Sequence, residues 1–397
     1  MFMKKITNLL AGDKIIWLVL IILSFISLIE VSSSIGKFAY EIGDSPMRLS
    51  FKHFCMIIGS YILALCLSNI NSKLFVRLSK LAYYFSVILL GCTFLFFLKD
   101  YFLGDLENPA AGRRLGIPGI SFQSSEFAKY AVIIYIACLI SKYKNEIRER
   151  KTVNKIMNYV FLVVILICPQ NLSTAVILFA VSIIMLFLAN AKFKDLGRLI
   201  GLAVVLLAMV ITLSTFIEGL NSVVRSNTWM SRVQEWLEDD ITVDSQENTA
   251  KKAIYIGGMF GNHPGGIVQG RRLDESYNDF IYAIIIEELG FVGGVAVLFL
   301  YSILFARCIV IARHCKSVFE MLVVSGIGIH IYLQALINMG VAVGYLPITG
   351  QTLPFISYGG SSYLATCCAV GVIQAIDYKT KLVAKAQKND ISIENEQ

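Results

Sequence analysis

Long apolar runs recur along nearly the whole chain, and they constrain its fold more than any other feature. A run of about 20 apolar residues is long enough for one helix to cross the hydrocarbon core of a bilayer. The chain has 397 residues, of which 56% are hydrophobic and only 16% are charged. The sequence therefore predicts an all-α polytopic membrane protein, with one membrane domain over 1–397 rather than two soluble domains.

Ten spans are predicted from these runs, at 15–34, 52–69, 81–99, 125–142, 156–169, 172–190, 198–217, 280–312, 318–345 and 358–378. Connections rich in Lys and Arg alternate with connections that are poor in them. The stretch from Lys142 to Lys155 is strongly basic, whereas the one from Leu346 to Ser357 has no basic residue. By the positive-inside rule both termini are predicted to be cytoplasmic. The net charge of +7 then reflects orientation and not nucleic-acid binding.

Two segments are predicted to lie outside the membrane. The segment 218–278, between the seventh and eighth spans, forms a large extracellular loop. Within it, apolar residues at helical spacing predict an amphipathic helix: Trp229, Met230, Val233, Trp236 and Leu237. That helix either lies on the outer leaflet, anchored by its tryptophans, or packs on the protein's own outer surface. The polar tail, 383–397, is predicted to be disordered and cytoplasmic.

Metal-ligand spacing is absent among the nine cysteines and four histidines. Most of the cysteines lie in or beside apolar runs, where a cysteine behaves as a small packing residue. The sequence therefore predicts no metal among the site residues.

The stretch from Leu273 to Gly290, LDESYNDFIYAIIIEELG, places carboxylates at a membrane boundary. A polar loop runs directly into an apolar helix, so Asp279 lies where water meets the membrane. Glu287 and Glu288 follow about two turns along the helix, predicted to be deeper and structural. Charged groups inside the membrane are costly and usually mark a function. For Asp279 the structural alternative is that it caps the helix.

Further polar residues stand out beside the spans. Arg113 and Arg114 form a pair of guanidinium groups, which suits a phosphate; the alternatives are a lipid headgroup or a loop ion pair. Glu126 and Lys129 are neighbours on one helix face, and an ion pair there is also explicable as structural. The ninth span carries a polar stripe of His330, Gln334 and Asn338. The stripe should face the protein interior or a water-filled groove. The alternative is that these side chains only form hydrogen bonds between helices.

Four stretches resemble the SEDS family of bacterial cell-wall polymerases (shape, elongation, division and sporulation), which includes FtsW and RodA. FQSSEFAKY at 122–130 is similar to F-Q-P-S-E-x-x-K, and IYIGGMFGNHPGG at 254–266 is similar to a glycine-rich family loop. ESYNDFIYAIIIEELG at 275–290 and ITGQTLPFISYGGSS at 348–362 resemble two long family motifs. The likeness covers nearly the whole chain in the right order, and YNDFIYAII favours the FtsW type.

The resemblance implies a glycosyltransferase that polymerises lipid II into glycan strands during cell division or elongation. It implies partners, a class B penicillin-binding protein that crosslinks the strands and other division or elongation proteins. Asp279 matches the catalytic aspartate and is the expected general base, and Arg114 is the expected diphosphate contact. The remaining expected substrate-binding residues are Gln123, Glu126, Lys129, Gln334, Asn338, Ser361 and Ser362. No ligand cluster in the sequence compels a cofactor, although a divalent cation, Mg²⁺ or Mn²⁺, could bridge the diphosphate.

The chain departs from the family pattern at two places. PQNLSTA stands where the family often has Q-P-D-L-G-T-A, so Asn171 replaces a carboxylate, and Arg114 lacks a neighbouring tryptophan. A lipid II flippase or a non-catalytic division scaffold would also suit ten spans. A flippase more often has internal repeats with interrupted helices, which the sequence lacks. A scaffold would not need Asp279.

Overall fold

The computed structural model describes residues 11–102, 115–117, 120–216, 226–237, 246–273 and 276–394, and over these it is almost entirely helical. The first half holds α1 (Lys14–Ser34), α2 (Gly36–Glu41), α3 (Pro46–Ser68), α4 (Ser72–Phe102), a hairpin of β1 (Leu115–Ile117) and β2 (Ile120–Phe122), α5 (Ser124–Lys142), a 3-10 turn (Lys144–Glu146), α6 (Arg150–Ile167) and α7 (Leu172–Leu188). The second half holds α8 (Phe193–Phe216), α9 (Ser226–Leu237), α10 (Gln246–Gly257), a 3-10 turn (Gly270–Arg272), α11 (Ile281–His314), α12 (Val318–Ala342) and α13 (Gly360–Glu394). The strands pair antiparallel, with Gly116 opposite Ser121.

The polytopic membrane fold predicted from the sequence is confirmed. Among the described residues, seven helices are long and apolar enough to cross a membrane: α1, α3, α4, α5, α8, α11 and α12. Helices α6, α7 and α13 occupy the positions of the predicted fifth, sixth and tenth spans. Over 383–394 the structure differs from the predicted disordered tail, because α13 continues to Glu394. The residues Ala384 to Lys388 there, AKAQK, are good helix formers, and they extend the last span.

Helices α5 and α12 lie at the centre of the bundle. Their side chains Ile133, Ile136, Ile327 and Ile331 are buried in one core. Helix α8 lies at the periphery, and Val204 is exposed there. Exposed aliphatic side chains are expected where a helix faces lipid, since the hydrocarbon tails are as apolar as the side chains.

The two ends of the bundle differ in their chemistry. At one end α1 begins and α12 begins, and there Asp13 pairs with Arg307 at 2.5 Å while Lys379 pairs with Glu320 at 2.7 Å. At the other end α1 finishes at Ser34 and α12 finishes at Ala342. This second end carries the cleft described below and is called the cleft end.

Helix α11 is broken at Gly290, and this changes the placement predicted for Glu287 and Glu288. Gly290 has φ 72° and ψ −176°, which no helix contains. From Phe291 onward α11 is about as long as the neighbouring α12, of 25 residues, so this part alone is long enough to cross a membrane. Ile281–Leu289 is a separate segment at the cleft end. The prediction that the two glutamates lie deeper in the span assumed one straight helix, and the break at Gly290 interrupts that helix.

The two glutamates hold the glycine-rich loop that precedes α11. Glu287 Oε1 accepts hydrogen bonds from the N–H groups of Val268 and Gln269, each at 2.8 Å, and its Oε2 accepts from Gly270 at 3.0 Å. Glu288 Oε1 accepts from the N–H of Gly265 at 3.0 Å. The loop is thus folded against α11, and the structural role predicted for these glutamates fits their contacts.

Candidate active site

A cleft of about 470 Å³ opens at the cleft end of the bundle. Its walls come from α3, α5, the α6–α7 turn, α9, the segment before α11 and the loop between α12 and α13. Five residues predicted for the site line it: Asp279, Gln123, Glu126, Ser361 and Ser362. Residues that are far apart in the chain therefore meet in one concave, polar place, as expected for a small-molecule site.

Asp279 lies half-buried in the cleft, just before α11. The N-cap position of α11 is Phe280, and no side chain caps the helix there. Asp279 therefore does not cap α11, which was the structural alternative considered for it. The carboxylate instead faces the loop between α12 and α13, since a Cβ built on Gly350 would stand 3.6 Å from Asp279 Oδ2.

The backbone around Asp279 is fixed by hydrogen bonds from two other elements. Asn338 Nδ2 donates to the Asp279 carbonyl at 2.8 Å. Ser357 Oγ donates to the carbonyl of Asn278 at 2.7 Å, and the Tyr358 N–H donates to the carbonyl of Tyr277 at 2.9 Å. Because three successive carbonyls are held, the position of the carboxylate is set by the tertiary structure and not by helix α11 alone.

The polar stripe of α12 is buried under the cleft and holds the loop above it. Asn338 Nδ2 also donates to the Gln351 carbonyl at 2.7 Å, and Gln334 Nε2 donates to the Thr352 carbonyl at 2.9 Å. His330 packs edge-on against Tyr130. The stripe faces the interior, as predicted, but Gln334 and Asn338 lie beneath the cleft lining.

Lys129 is fully buried and bridges α5 to α12. Its Nζ lies 2.8 Å from Glu126 Oε2 and donates to Gln334 Oε1 at 2.8 Å. Glu126 lines the cleft, whereas Lys129 lies beneath it. Glu126 and Lys129, predicted to be neighbours, thus form an ion pair. The pair connects the floor of the cleft to the polar stripe of α12.

Helix α9 packs on the protein rather than lying on the leaflet alone. Trp236 Nε1 donates to the Gly344 carbonyl at 3.3 Å, and an Arg232 guanidinium N–H donates to the Ile348 carbonyl at 3.2 Å. Trp229 and Arg232 line the cleft. Of the two placements open from the sequence, packing on the protein's own surface is the one observed, with Met230 still exposed.

Among the cleft residues that sequence reasoning did not assign to the site are Lys52, Trp229 and Arg232. Lys52 gave a signal, because it is a basic residue at the start of a span on the side that is otherwise poor in positive charge. Trp229 was recognised only as an apolar anchor. The predicted diphosphate contact Arg114, with Arg113, lies outside the described residues.

The α6–α7 turn also reaches the cleft. Asn171 caps α7, because its Oδ1 accepts from the Thr174 N–H at 3.2 Å. Gln170 and Asn171 both line the cleft. The turn therefore has a place beside Asp279 that its sequence alone did not reveal.

Among the described residues, no three acidic, histidine or cysteine side chains gather where they could hold a metal ion. Asp279, Glu126 and His53 line the cleft without forming such a group. Mg²⁺ is usually bound by one or two carboxylates together with substrate phosphates, and Asp279 and Glu126 are carboxylates in the cleft lining.

Comparison with known proteins gives consistent results. The family model for the cell cycle proteins FtsW, RodA and SpoVE matches residues 13–382. A probable peptidoglycan glycosyltransferase FtsW from Coxiella burnetii is 30% identical over 374 residues, covering 92% of this chain and 96% of the relative. In fold, the chain is similar to a chain of a peptidoglycan synthase complex that coordinates polymerization and crosslinking (TM-score 0.71, 20% identity, 94% and 99% of the two chains). It is also similar to the rod shape determining protein RodA of Thermus thermophilus (TM-score 0.62, 22% identity, 93% and 98%).

Proposed function

The chain belongs to the family of cell cycle proteins that includes FtsW, RodA and SpoVE, and we propose that it is a peptidoglycan glycosyltransferase whose reaction takes place in the cleft around Asp279. The observation that carries this proposal is the Asp279 carboxylate, half-buried in a polar cleft on a backbone whose three successive carbonyls, of residues 277–279, accept hydrogen bonds from other elements. The curated relatives are named for the same activity.

The substrate that we propose is lipid II, and Asp279 acts as the general base. The carboxylate takes the proton from the 4-hydroxyl of one sugar as that oxygen bonds to the anomeric carbon of another. The bond between the anomeric carbon and the diphosphate oxygen breaks, and the lipid diphosphate leaves with the electron pair. A positioned base of this kind contributes roughly 10²–10⁴-fold to the rate.

Positive charge is needed where the diphosphate departs. Lys52 and Arg232 line the cleft from opposite parts of the chain. An ammonium and a guanidinium placed there would stabilise charge on the departing oxygens. Arg114 stays a proposed third contact. A divalent cation, Mg²⁺ or Mn²⁺, stays a proposed cofactor that would neutralise charge on the diphosphate, and we derive no step through it.

Gln123, Glu126, Ser361 and Ser362 line the cleft and are proposed as direct substrate contacts. Lys129, Gln334 and Asn338 are proposed to act from below, because their side chains bond to Glu126 and to the loop carbonyls. Trp229 offers an aromatic face with a polar edge, which suits a ligand with both sugar and lipid parts.

We also propose the orientation and the partner. The basic connections support a topology with both termini in the cytoplasm, in which the cleft faces outward from a bacterial cytoplasmic membrane. A class B penicillin-binding protein would then crosslink the strands that the cleft releases. This partner is supported by the fold shared with the chain of the peptidoglycan synthase complex.

The decisive experiment is polymerisation of labelled lipid II by purified protein, with and without a class B penicillin-binding protein. Asp279→Asn keeps the shape of the side chain and removes the base, so glycan ladders should fall by about 10²–10⁴-fold. The control Asp44→Asn changes an aspartate outside the cleft lining and should polymerise at the wild-type rate.

Ladders at the wild-type rate from folded Asp279→Asn protein would remove Asp279 as the base. Absence of ladders from the wild type with its partner, together with lipid translocation in vesicles, would favour a flippase.

A further inference from the structure

The α6–α7 turn touches the loop that faces Asp279. Besides capping α7, Asn171 Oδ1 accepts a hydrogen bond from Gln351 Nε2 at 3.0 Å. Asn171 Nδ2 donates to the Gly350 carbonyl at 3.5 Å. Gln351 Nε2 also donates to Thr174 Oγ1 at 2.9 Å. Two consecutive loop residues, Gly350 and Gln351, are therefore tied to one turn.

Gly350 lies beside the Asp279 carboxylate, and Gln351 follows it in the loop. Gly350 adopts φ +66°, and a Cβ built on it would stand 3.6 Å from Asp279 Oδ2. The Gln351 carbonyl shares the Asn338 amide with the Asp279 carbonyl. Asn338 thus holds Gln351 from the α12 side, and Asn171 holds it from the α6–α7 side.

We propose that Asn171 and Gln351 are positioning residues for Asp279. They clamp the Gly350–Gln351 peptide against the carboxylate, so that the base meets a loop of fixed shape. The catalytic part of this inference rests on the proposed function, whereas the clamp itself does not.

An amide at position 171 suits this task better than a carboxylate. Asn offers an acceptor to Gln351 and Thr174 and a donor to the Gly350 carbonyl, whereas a carboxylate can only accept. An amide also adds no charge to the cleft. The charged and titratable groups that line the cleft with Asp279 are Lys52, His53, Glu126, Arg232, Tyr277 and Tyr358. A new carboxylate among them would favour the protonated form of Asp279.

The first test measures the clamp without any substrate. Asn171→Ser keeps a good helix cap but cannot reach both loop residues. Amide hydrogen exchange over 347–353, in purified protein, should become at least ~10-fold faster, because the held loop opens more often. The exposed asparagine Asn69 bonds the Leu65 carbonyl on its own helix, so Asn69→Ser is the control and should leave this exchange unchanged. Unchanged exchange in Asn171→Ser would overturn the clamp.

The second test separates positioning from folding. Asn171→Asp should move the acidic limb of the pH–rate profile upward by about one pH unit, since a like charge enters the cleft. Asn171→Ser should keep the limb in place and lower kcat by ~10-fold, with KM within about twofold. If both variants keep the wild-type pH–rate profile, and if their activity falls only in proportion to the amount of folded protein that is lost, the pair has no positioning role.

The two tests fail independently. If the wild type polymerises nothing, the proposed function falls, and the exchange experiment still decides whether Asn171 and Gln351 hold the loop.

Discussion

Lys129 shows how one residue connects the site to the core. Its charged group is completely buried and meets Glu126 and Gln334, each at 2.8 Å. A buried charge is tolerated only when partners compensate its lost hydration, so each member of this group depends on the others. The floor of the cleft is therefore built from buried polar side chains that satisfy one another.

Lys129→Met should lower the free energy of unfolding by about 3–5 kcal/mol, because it leaves the Glu126 carboxylate buried without its cation. Thermal unfolding of the purified protein in detergent measures this. Arg48→Met is the matched control. That arginine side chain is 80% exposed and lies 3.5 Å from Asp44, so its loss should cost less than about 1 kcal/mol. Equal effects of the two variants would contradict a buried ion pair.

At the element scale, the break in α11 decides where the polar residues lie. Gly290 at φ 72° ends the segment Ile281–Leu289, and the glycine-rich loop closes on the break. The Phe291 N–H donates to the Gly258 carbonyl at 2.9 Å, and the Val292 N–H donates to the Met259 carbonyl at 3.3 Å. The loop thus satisfies backbone donors that a helix start leaves unpaired.

Gly290→Ala should destabilise the protein by more than about 1 kcal/mol and reduce polymerisation, since a Cβ would stand 2.4 Å from the Met259 carbonyl oxygen at a positive φ. Gly201→Ala is the control, because a Cβ on Gly201 meets nothing within 4 Å. Thermal unfolding and lipid II polymerisation measure both variants. If Gly290→Ala behaved like Gly201→Ala, the break in α11 would have no structural role.

At the scale of the whole molecule, Asp13 joins the first, eighth and last spans. Its carboxylate accepts from the N–H groups of Ile15 and Ile16 at the start of α1 and pairs with Arg307 on α11. Its backbone exchanges two hydrogen bonds with the Gln374 side chain, at 2.6 and 3.0 Å. At the end opposite the cleft, Asp13 therefore connects α1, α11 and α13 to one another.

This junction predicts a dependence of stability on pH. Burial acts to raise the pKa of Asp13, but Arg307 and the Ile16 N–H outweigh it, so the pKa lies below its ordinary value. The unfolded chain titrates near pH 4. The stabilisation is then complete above about pH 4 and is lost as the pH falls through the lowered folded-state pKa.

Asp13→Asn should lower the Tm at pH 7 and remove part of the further fall in Tm below about pH 4. Thermal unfolding between pH 3 and 7 measures this. Asp195→Asn changes an aspartate that pairs with Arg198 on its own helix, and it should retain the acid dependence. An identical acid dependence in Asp13→Asn would show that Asp13 does not carry it.

The proposed orientation also belongs to the whole molecule. A reporter enzyme that is active only outside the cytoplasm should be active when inserted between residues 238 and 245 and inactive when fused after Gln397. The reverse pattern would place the cleft inside the cell and would exclude extracellular polymerisation.

The sequence by itself determined the membrane fold, the approximate spans and the residues with unusual chemistry. These features are local: a span is recognised by its own apolar run, and Asp279 by its place between a polar loop and an apolar helix. Gln334 and Asn338 were recognised in the same way, as polar residues repeating on one helix face.

Only the tertiary structure decided which of these residues meet. Lys52, Arg232 and Asn171 come to the cleft from three distant elements, and no spacing in the sequence relates them to Asp279. The break at Gly290 also escaped prediction, because a glycine inside an apolar run is compatible with a helix until packing demands a positive φ. Long-range contacts set the shape of the site, and a periodic pattern contains no information about its distant partners.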